Sequence, residues 1–301
     1  MTEAPRKNKD WIGTECEFDA FLEQYESPQF AAAVHAVSGG DAEEVSASLD
    51  RYLTEMRHGF AFVAEHLPRR RQRILEVGAG LGLISIYLQS KGHDVTALEP
   101  GAPSFDIFEA TKSVIWDKKR AVLPRLLERG AETLDTEVDG TFDFIFSINV
   151  IEHIAALEDA IAAMIGVLAP EGLCVNTCPN YTFPYEPHYS IPLIPFAPRL
   201  SRRVFANKIE AEPDVWETLN FVTSAKVRRM ARDNGAVVTF QPGTLYDAVS
   251  RLGTDEAFAR RHRSGIVMAI YRALSATGLL GLLKFAPARL VTPMVFTFRH
   301  R

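Results

Sequence analysis

Apolar residues in this chain follow two rhythms. Between Glu17 and Leu67 they recur three and four positions apart. The first set is Phe18, Phe21, Leu22, Tyr25, Phe30 and Val34; the second is Val45, Leu49, Tyr52, Leu53, Met56, Phe60, Val63 and Leu67. Such spacing lays an apolar stripe along a helix. It predicts helical structure over Glu17–Val37, with Ser27-Pro28 as a break and helix start, and a long amphipathic helix ending at Pro68. Ser38-Gly39-Gly40-Asp41 reads as a turn with Asp41 as a cap, and Met1–Asp10 as a disordered start. Residues 1–70 are thus expected to be a helical extension, acting on the core either as a lid or as a buttress.

From Ile74 the rhythm changes to short solid apolar runs alternating with amphipathic ones. Ile74–Val77 is too short for a helix and is closed by glycines, so it reads as a buried strand. Gly78, Gly80 and Gly82 alternate, which lets the backbone turn sharply and lie bare against a ligand. Leu83, Ile84, Ile86, Tyr87 and Leu88 give the next helix an apolar side, and Lys91-Gly92 stops it. Val95–Leu98 is a second buried strand with Glu99 and Pro100 at its carboxyl end. Strand, glycine turn, helix, strand and terminal acid form half of a nucleotide-binding unit, with the acid where a ribose would lie.

The alternation continues. Ser104–Trp116 reads as a helix, and a third strand is expected somewhere in Arg120–Asp139. Phe142–Ile148 is a strand, followed by Asn149-Val-Ile-Glu-His-Ile154 and an apolar helix over Ala155–Leu168. Pro170-Glu-Gly172 reads as a turn and Leu173–Thr177 as a fifth strand closed by Pro179-Asn180. This order implies a mostly parallel sheet covered on both faces. Pro179–Pro198 then breaks the pattern with six prolines and five aromatic side chains, a composition neither helix nor strand tolerates. Further on, Ser224–Asn234 reads as a polar helix ended by Gly235, Ala236–Phe240 as a strand, Arg251–Phe285 as helical and Val291–Phe298 as a last strand.

Composition adds limits. A net charge of −5 argues against general nucleic-acid binding. Cys16, Cys174 and Cys178 are odd in number and fit no metal pattern, which favours a reducing compartment. Cys174 and Cys178 are expected in a strand core. The polar start shows no signal peptide, so a cytoplasmic location is expected. Arg69, Arg70, Arg71 and Arg73 read as a solvated connector rather than an anionic-partner site.

Four motifs in order carry a family resemblance. Glu76-Val-Gly-Ala-Gly-Leu-Gly82 resembles motif I of the class I S-adenosylmethionine-dependent methyltransferases, and Glu99 resembles their ribose-binding acid. Phe142-Asp143 through Val-Ile-Glu-His-Ile154 is similar to the fourth-strand motif of the branch holding the ubiquinone-pathway O-methyltransferases. Ala169-Pro-Glu-Gly-Leu173 resembles the turn before strand five. The resemblance covers Arg73–Asn180 and, more weakly, the strands near Val237 and Val295. It implies an α/β fold with a Rossmann-like seven-stranded mostly parallel sheet over residues 71–301, with insertions at 179–235 and 243–290. A nicotinamide enzyme is the dinucleotide alternative, but Leu83 stands where G-x-G-x-x-G wants glycine. An idle S-adenosylmethionine-binding module of a complex is the non-enzymatic one.

The resemblance assigns S-adenosylmethionine as cofactor. Glu76, Gly78, Ala79, Gly80, Gly82, Glu99, Pro100, Glu132 and Asn149 are its candidate contacts, with adenine beside Ala131-Glu132-Thr133. His153 and His188 are the candidate bases for a hydroxyl nucleophile, against bland roles in holding loops. Glu152 and His153 are the alternative divalent-metal ligands that the resemblance offers, but Asn149 departs from the acid those relatives carry nearby, so no metal is expected. The acceptor is expected to be small or lipid-like, most readily an oxygen. Phe183, Tyr185, Tyr189, Ile191, Leu193, Ile194 and Phe196 either line its pocket or pack the loop on itself. Leu279–Leu290, with Lys284 and Arg289, and Arg199, Arg202 and Arg203 raise a peripheral membrane contact as an alternative to an internal helix.

Overall fold

The computed structural model describes residues 15–67, 70–101, 107–194, 197–210, 213–255, 258–259 and 265–301. Expectations for Met1–Asp10, Pro68, Arg69, the first turn from Ser104, and Phe196 lie outside the described residues. The chain forms two compact units, one of residues up to Ala131 with Gly140–Phe146, the other of Glu132–Asp139 with Ser147–Arg301.

In the first unit, helices α1 (Glu15–Leu22), α2 (Pro28–Ser38) and α3 (Ala42–Ala64) precede strand β1 (Arg73–Val77), α4 (Leu83–Ser90), β2 (Asp94–Leu98), α5 (Ile107–Lys118) and β3 (Arg125–Leu127). The caps read from sequence are in place. The Ser27 side chain accepts from Phe30 N–H, and the Asp41 carboxylate accepts from the N–H groups of Glu43 and Glu44. The apolar stripes of α1 and α3 meet α4: Phe18 lies 4.2 Å from Phe60 and 5.1 Å from Tyr87, centroid to centroid. These helices are therefore a buttress. β1 pairs in parallel with β2, and β2 with β3. The third strand is only three residues long, with no fully buried side chain, so no solid apolar run marked it. It ends at Leu127, and Ala131–Thr133 is a 3-10 turn beyond it. Arg73 is structural: its N–H bonds the Asp143 carboxylate and its guanidinium bonds the Thr141 carbonyl at 2.7 Å.

Strand β4 (Phe142–Ile148) leads into the second unit, which holds α6 (Leu157–Gly166), β5 (Leu168–Cys178), a two-stranded ribbon of β6 (Tyr185–Glu186) and β7 (Ile191–Pro192), α7 (Ser224–Asp233), β8 (Ala236–Phe240), α8 (Thr244–Thr254), α9 (Gly265–Ala276) and β9 (Met294–His300). Short helical turns Ser201–Val204, Ala206–Ile209 and Pro213–Thr218 fill the interval before α7. The seven-stranded sheet runs in the order β3-β2-β1-β4-β5-β9-β8, and β9 opposes both of its neighbours. That is the Rossmann-like, mostly parallel arrangement the alternation implied.

Three expectations change. The predicted turn at Pro170–Gly172 is a sharp bend inside β5, which begins five residues early. A Cβ on Gly172 would lie 2.7 Å from the Leu168 side chain and 2.8 Å from the Ala169 carbonyl, so only glycine fits the bend. The helical stretch expected over Arg251–Phe285 is broken: Gly278 adopts φ +70° between α9 and a 3-10 stretch over Leu279–Phe285. The proline-aromatic segment contains the β6–β7 ribbon, with Pro192 on an edge strand where its missing N–H costs nothing. Cys174 and Cys178 are buried in β5 and unbridged, as expected.

Candidate active site

In the first unit the site grows from the end of β1. Gly78, Gly80 and Gly82 have φ of +74°, +54° and +75°, the left-handed region in which side chains are strained. Their alternation is therefore a backbone requirement. The Leu98 carbonyl at the end of β2 accepts from the N–H groups of both Gly78 and Ala79, which ties the turn to the next strand. A Cβ on Gly82 would meet the Trp116 indole at 3.0 Å, and that indole donates to the Leu81 carbonyl. Gly82 is thus required for packing as well as for turning. The direction of Gly80 Cα–Cβ is faced by Phe108 of α5 at 3.6 Å, and Phe108 stacks edge-on against Tyr52 of α3. In this way the helical extension supports a wall of the turn.

Glu99 sits where β2 ends, and its Oε2 accepts from Gly80 N–H at 2.9 Å. Its pKa is raised, chiefly by burial, against the opposing pull of that hydrogen bond and of Lys112. A carboxylate thus stands against the glycine turn, an acceptor of the kind that ribose hydroxyls call for. Pro100 follows, exposed. Glu76 is bonded within the fold. It is buried, and its Oε2 accepts from both Ser85 N–H, at 3.0 Å, and Ser85 Oγ–H, at 2.5 Å. It locks α4 to β1, and burial pushes its pKa up to about 8.

The second unit carries the other candidates. Asn149 follows β4 at φ +53°, an unusual value that asparagine tolerates, and its N–H bonds the Thr177 carbonyl. Glu132 lies exposed in its 3-10 turn. Beyond Asn149 the 3-10 turn Ile151–His153 buries Glu152 completely. Among the described residues neither Glu152 carboxylate oxygen has a hydrogen-bond partner, and burial pushes its pKa up to about 7.

His153 and His188 are brought together, with ring centroids 5.2 Å apart and edge to face. His153 Nδ1 lies 2.7 Å from Thr218 Oγ1, whose own proton goes to the Val215 carbonyl. The histidine must therefore donate from Nδ1, leaving Nε2 as the acceptor. Burial lowers its pKa to about 4, so it is neutral at pH 7. His188 Nδ1 lies 2.5 Å from Glu186 Oε1. Glu186 is fully buried, and it also accepts from Tyr189 N–H and the Tyr181 hydroxyl. One donor atom from each of Glu152, His153 and His188 lies within 4.8 Å of the others.

Sequence reading singled out neither Glu186 nor Thr218 nor Asn220. Asn220 clamps the turn, donating from Nδ2 to the Ile151 and Ile154 carbonyls and from its backbone N–H to the Glu152 carbonyl. Only the spacing Glu186-Pro187-His188 offered a signal, and it acquires meaning once the ribbon folds. Of the loop apolar residues, Ile191 and Leu193 pack with Ile209, Trp216 and Leu219, with Tyr189 against them. Self-packing is thus the outcome for these three, while Phe183 and Ile194 keep 36% exposure each. A cavity of about 310 Å³ opens beside them, lined by Ala197, Pro198, Arg199, Leu200, Asn220 and Phe221.

A family model described as a methyltransferase domain matches residues 49–241, well over half the chain. This chain belongs to the class I S-adenosylmethionine-dependent methyltransferases. It is 34% identical over 254 residues to the uncharacterized protein Rv1509 of Mycobacterium tuberculosis, covering 81% of this chain and 85% of that one. It is 27% identical over 186 residues to the mitochondrial ubiquinone biosynthesis O-methyltransferase of Mus musculus, covering 61% of this chain and 46% of that protein. Among solved structures it is similar to phosphoethanolamine N-methyltransferase 2 of Haemonchus contortus, at 14% identity and TM-score 0.46, over 96% of this chain and 61% of that one. The methyltransferase assignment disfavours the nicotinamide and idle-module readings and makes S-adenosylmethionine the cofactor. The glycine turn with Glu99 fits that cofactor on its own chemistry.

Proposed function

We propose that this methyltransferase acts on an oxygen of a small-molecule or lipid-like acceptor, with His188 as the base. The observation that carries the reading is the buried Glu186 carboxylate on His188 Nδ1. A carboxylate there fixes the tautomer that leaves Nε2 to accept a proton and then stabilises the imidazolium formed. His153 has no such partner, since a hydroxyl receives its Nδ1 proton. It serves better as a neutral neighbour that orients the acceptor. The ubiquinone-pathway relative, an O-methyltransferase by name, supports an oxygen acceptor.

S-adenosylmethionine supplies an activated methyl group. Gly78, Ala79, Gly80 and Gly82 would cradle it and Glu99 would accept from its ribose, with Asn149, Pro100 and Glu132 as further candidate contacts. The remaining task is positioning and water exclusion, to which the cavity beside Asn220 and the packed aromatic loop contribute.

The test is homocysteine release across acceptor classes, including detergent-solubilised lipids. With an acceptor in hand, His188→Gln is expected to lower kcat by about 10²–10⁴. Glu186→Gln should lower kcat with little change in KM and displace the acid limb of the pH–rate profile. Full turnover in His188→Gln would remove the base assignment. A second reading comes from the unpartnered Glu152 carboxylate: a divalent cation held by Glu152, His153 and His188. Activity lost to a chelator and restored by metal would favour it.

A further inference from the structure

The insertion ahead of β9 is apolar and yet covers nothing. No described side chain of α9 is buried, and none in the 3-10 stretch Leu279–Phe285. Phe285 is 83% exposed, Leu282 60%, Ile270 54%, Leu290 48% and Leu279 47%. A single exposed leucine is ordinary; a contiguous run of large ones marks an interaction surface. The opposite side of the insertion is anchored. The Tyr271 hydroxyl sits where a Cβ on Gly253 would be, and Lys284 Nζ lies 4.4 Å over the Tyr246 ring, both on α8.

Charge says what covers the open side. From Ala257 to Arg301 the sequence holds seven arginines and one lysine and no aspartate or glutamate, in a chain of net charge −5. Arg272, Lys284 and Arg289 are exposed among the apolar residues. A second copy of the chain would bring apolar surface and carboxylates spread along its sequence, and the test below tells it apart. A nucleic acid would bring charge but nothing for Phe285 and Leu282. An anionic phospholipid surface offers both. The geometry fits lying on a bilayer rather than crossing it. Among the described residues no single helix is long and apolar enough to span, and the α9 and 3-10 axes are bent by 106°.

We propose that this insertion is a peripheral membrane-docking surface for anionic phospholipid, with Leu279, Leu282 and Phe285 entering the interface and Arg272 and Arg289 meeting the headgroups. The assignment stands apart from the acceptor chemistry, and its test needs no turnover.

The full chain is mixed with phosphatidylcholine vesicles, and with vesicles of equal parts phosphatidylcholine and phosphatidylglycerol, and bound protein is measured by flotation. Binding is expected on the anionic vesicles and should weaken as salt rises. Leu282→Asp with Phe285→Asp is expected to weaken it at least about tenfold, as is Arg272→Glu with Arg289→Glu. Since these side chains are exposed, circular dichroism and the melting temperature should match the parent. A parent protein that stays with neither vesicle type overturns the proposal. So does anionic-vesicle binding that neither double variant weakens. Light scattering that shows a dimer dissociated by Leu282→Asp with Phe285→Asp, without vesicle binding, would assign the face to a second copy instead.

Discussion

Glu99 shows how much one side chain can carry. It stands at the carboxyl end of β2, accepts from Gly80 N–H, and keeps a raised pKa from burial. Glu99→Gln keeps its size but loses the charge that, in the proposed site, would strengthen contacts to two ribose hydroxyls. S-adenosylhomocysteine binding by titration calorimetry is expected to weaken by about ten- to a hundredfold, with the melting temperature of the free protein little changed. Unchanged affinity would dissociate Glu99 from the ribose. Its position at the end of a strand was legible because it depends on local spacing after a glycine turn. Glu186 was not legible, because a glutamate two residues from a histidine is commonplace. Its meaning comes from complete burial and from the three donors that converge on it: His188, Tyr189 and Tyr181.

Between elements, the joint of β1 and α4 rests on Glu76. Burial raises its pKa from 4.5 to about 8, so the folded state holds the proton more tightly than the unfolded chain. Stability from this group is present below the unfolded value of 4.5 and is lost as pH rises toward 8. The parent is expected to lose stability over that window, by a few kcal/mol at most, when followed by urea unfolding. Glu76→Gln cannot ionise, and its profile over the same range should be flatter; an equally steep profile would mean that another group sets it. Glu152, raised to about 7, adds to the same slope in the second unit. Element type was read well where periodicity was strong, as in α3, β1 and β4. It was read poorly where glycine or brevity intervened. Gly278 broke one expected helix, and β3 was too short and too exposed to stand out.

At the scale of the whole molecule, Asn180 joins segments that the chain order keeps apart. It is fully buried; its Oδ1 accepts from Thr182 and Ser224 N–H, and its Nδ2 donates to the Arg289 and Val291 carbonyls. One side chain thereby fixes the end of β5, the start of α7 and the approach to β9. Asn180→Ala leaves Thr182 N–H, Ser224 N–H and the Val291 carbonyl short of a partner, while the Arg289 carbonyl keeps the Ser224 hydroxyl, and is expected to cost about 2–4 kcal/mol in urea unfolding. A loss below about 0.5 kcal/mol would mean that water replaces it readily.

The sequence alone determined the alternating α/β order, the glycine turn, the acid after β2 and the methyl-donor family, because each depends on residues close together in the chain. The tertiary structure decided the rest. It tied Glu76 to Ser85 as a strut between β1 and α4, and it set His153 beside His188 with Glu186 behind it. It packed Ile191 and Leu193 inward and left Leu282 and Phe285 outside. These outcomes depend on burial and on partners tens of residues away, and a one-dimensional pattern of polar and apolar positions does not encode which apolar residue finds a neighbour.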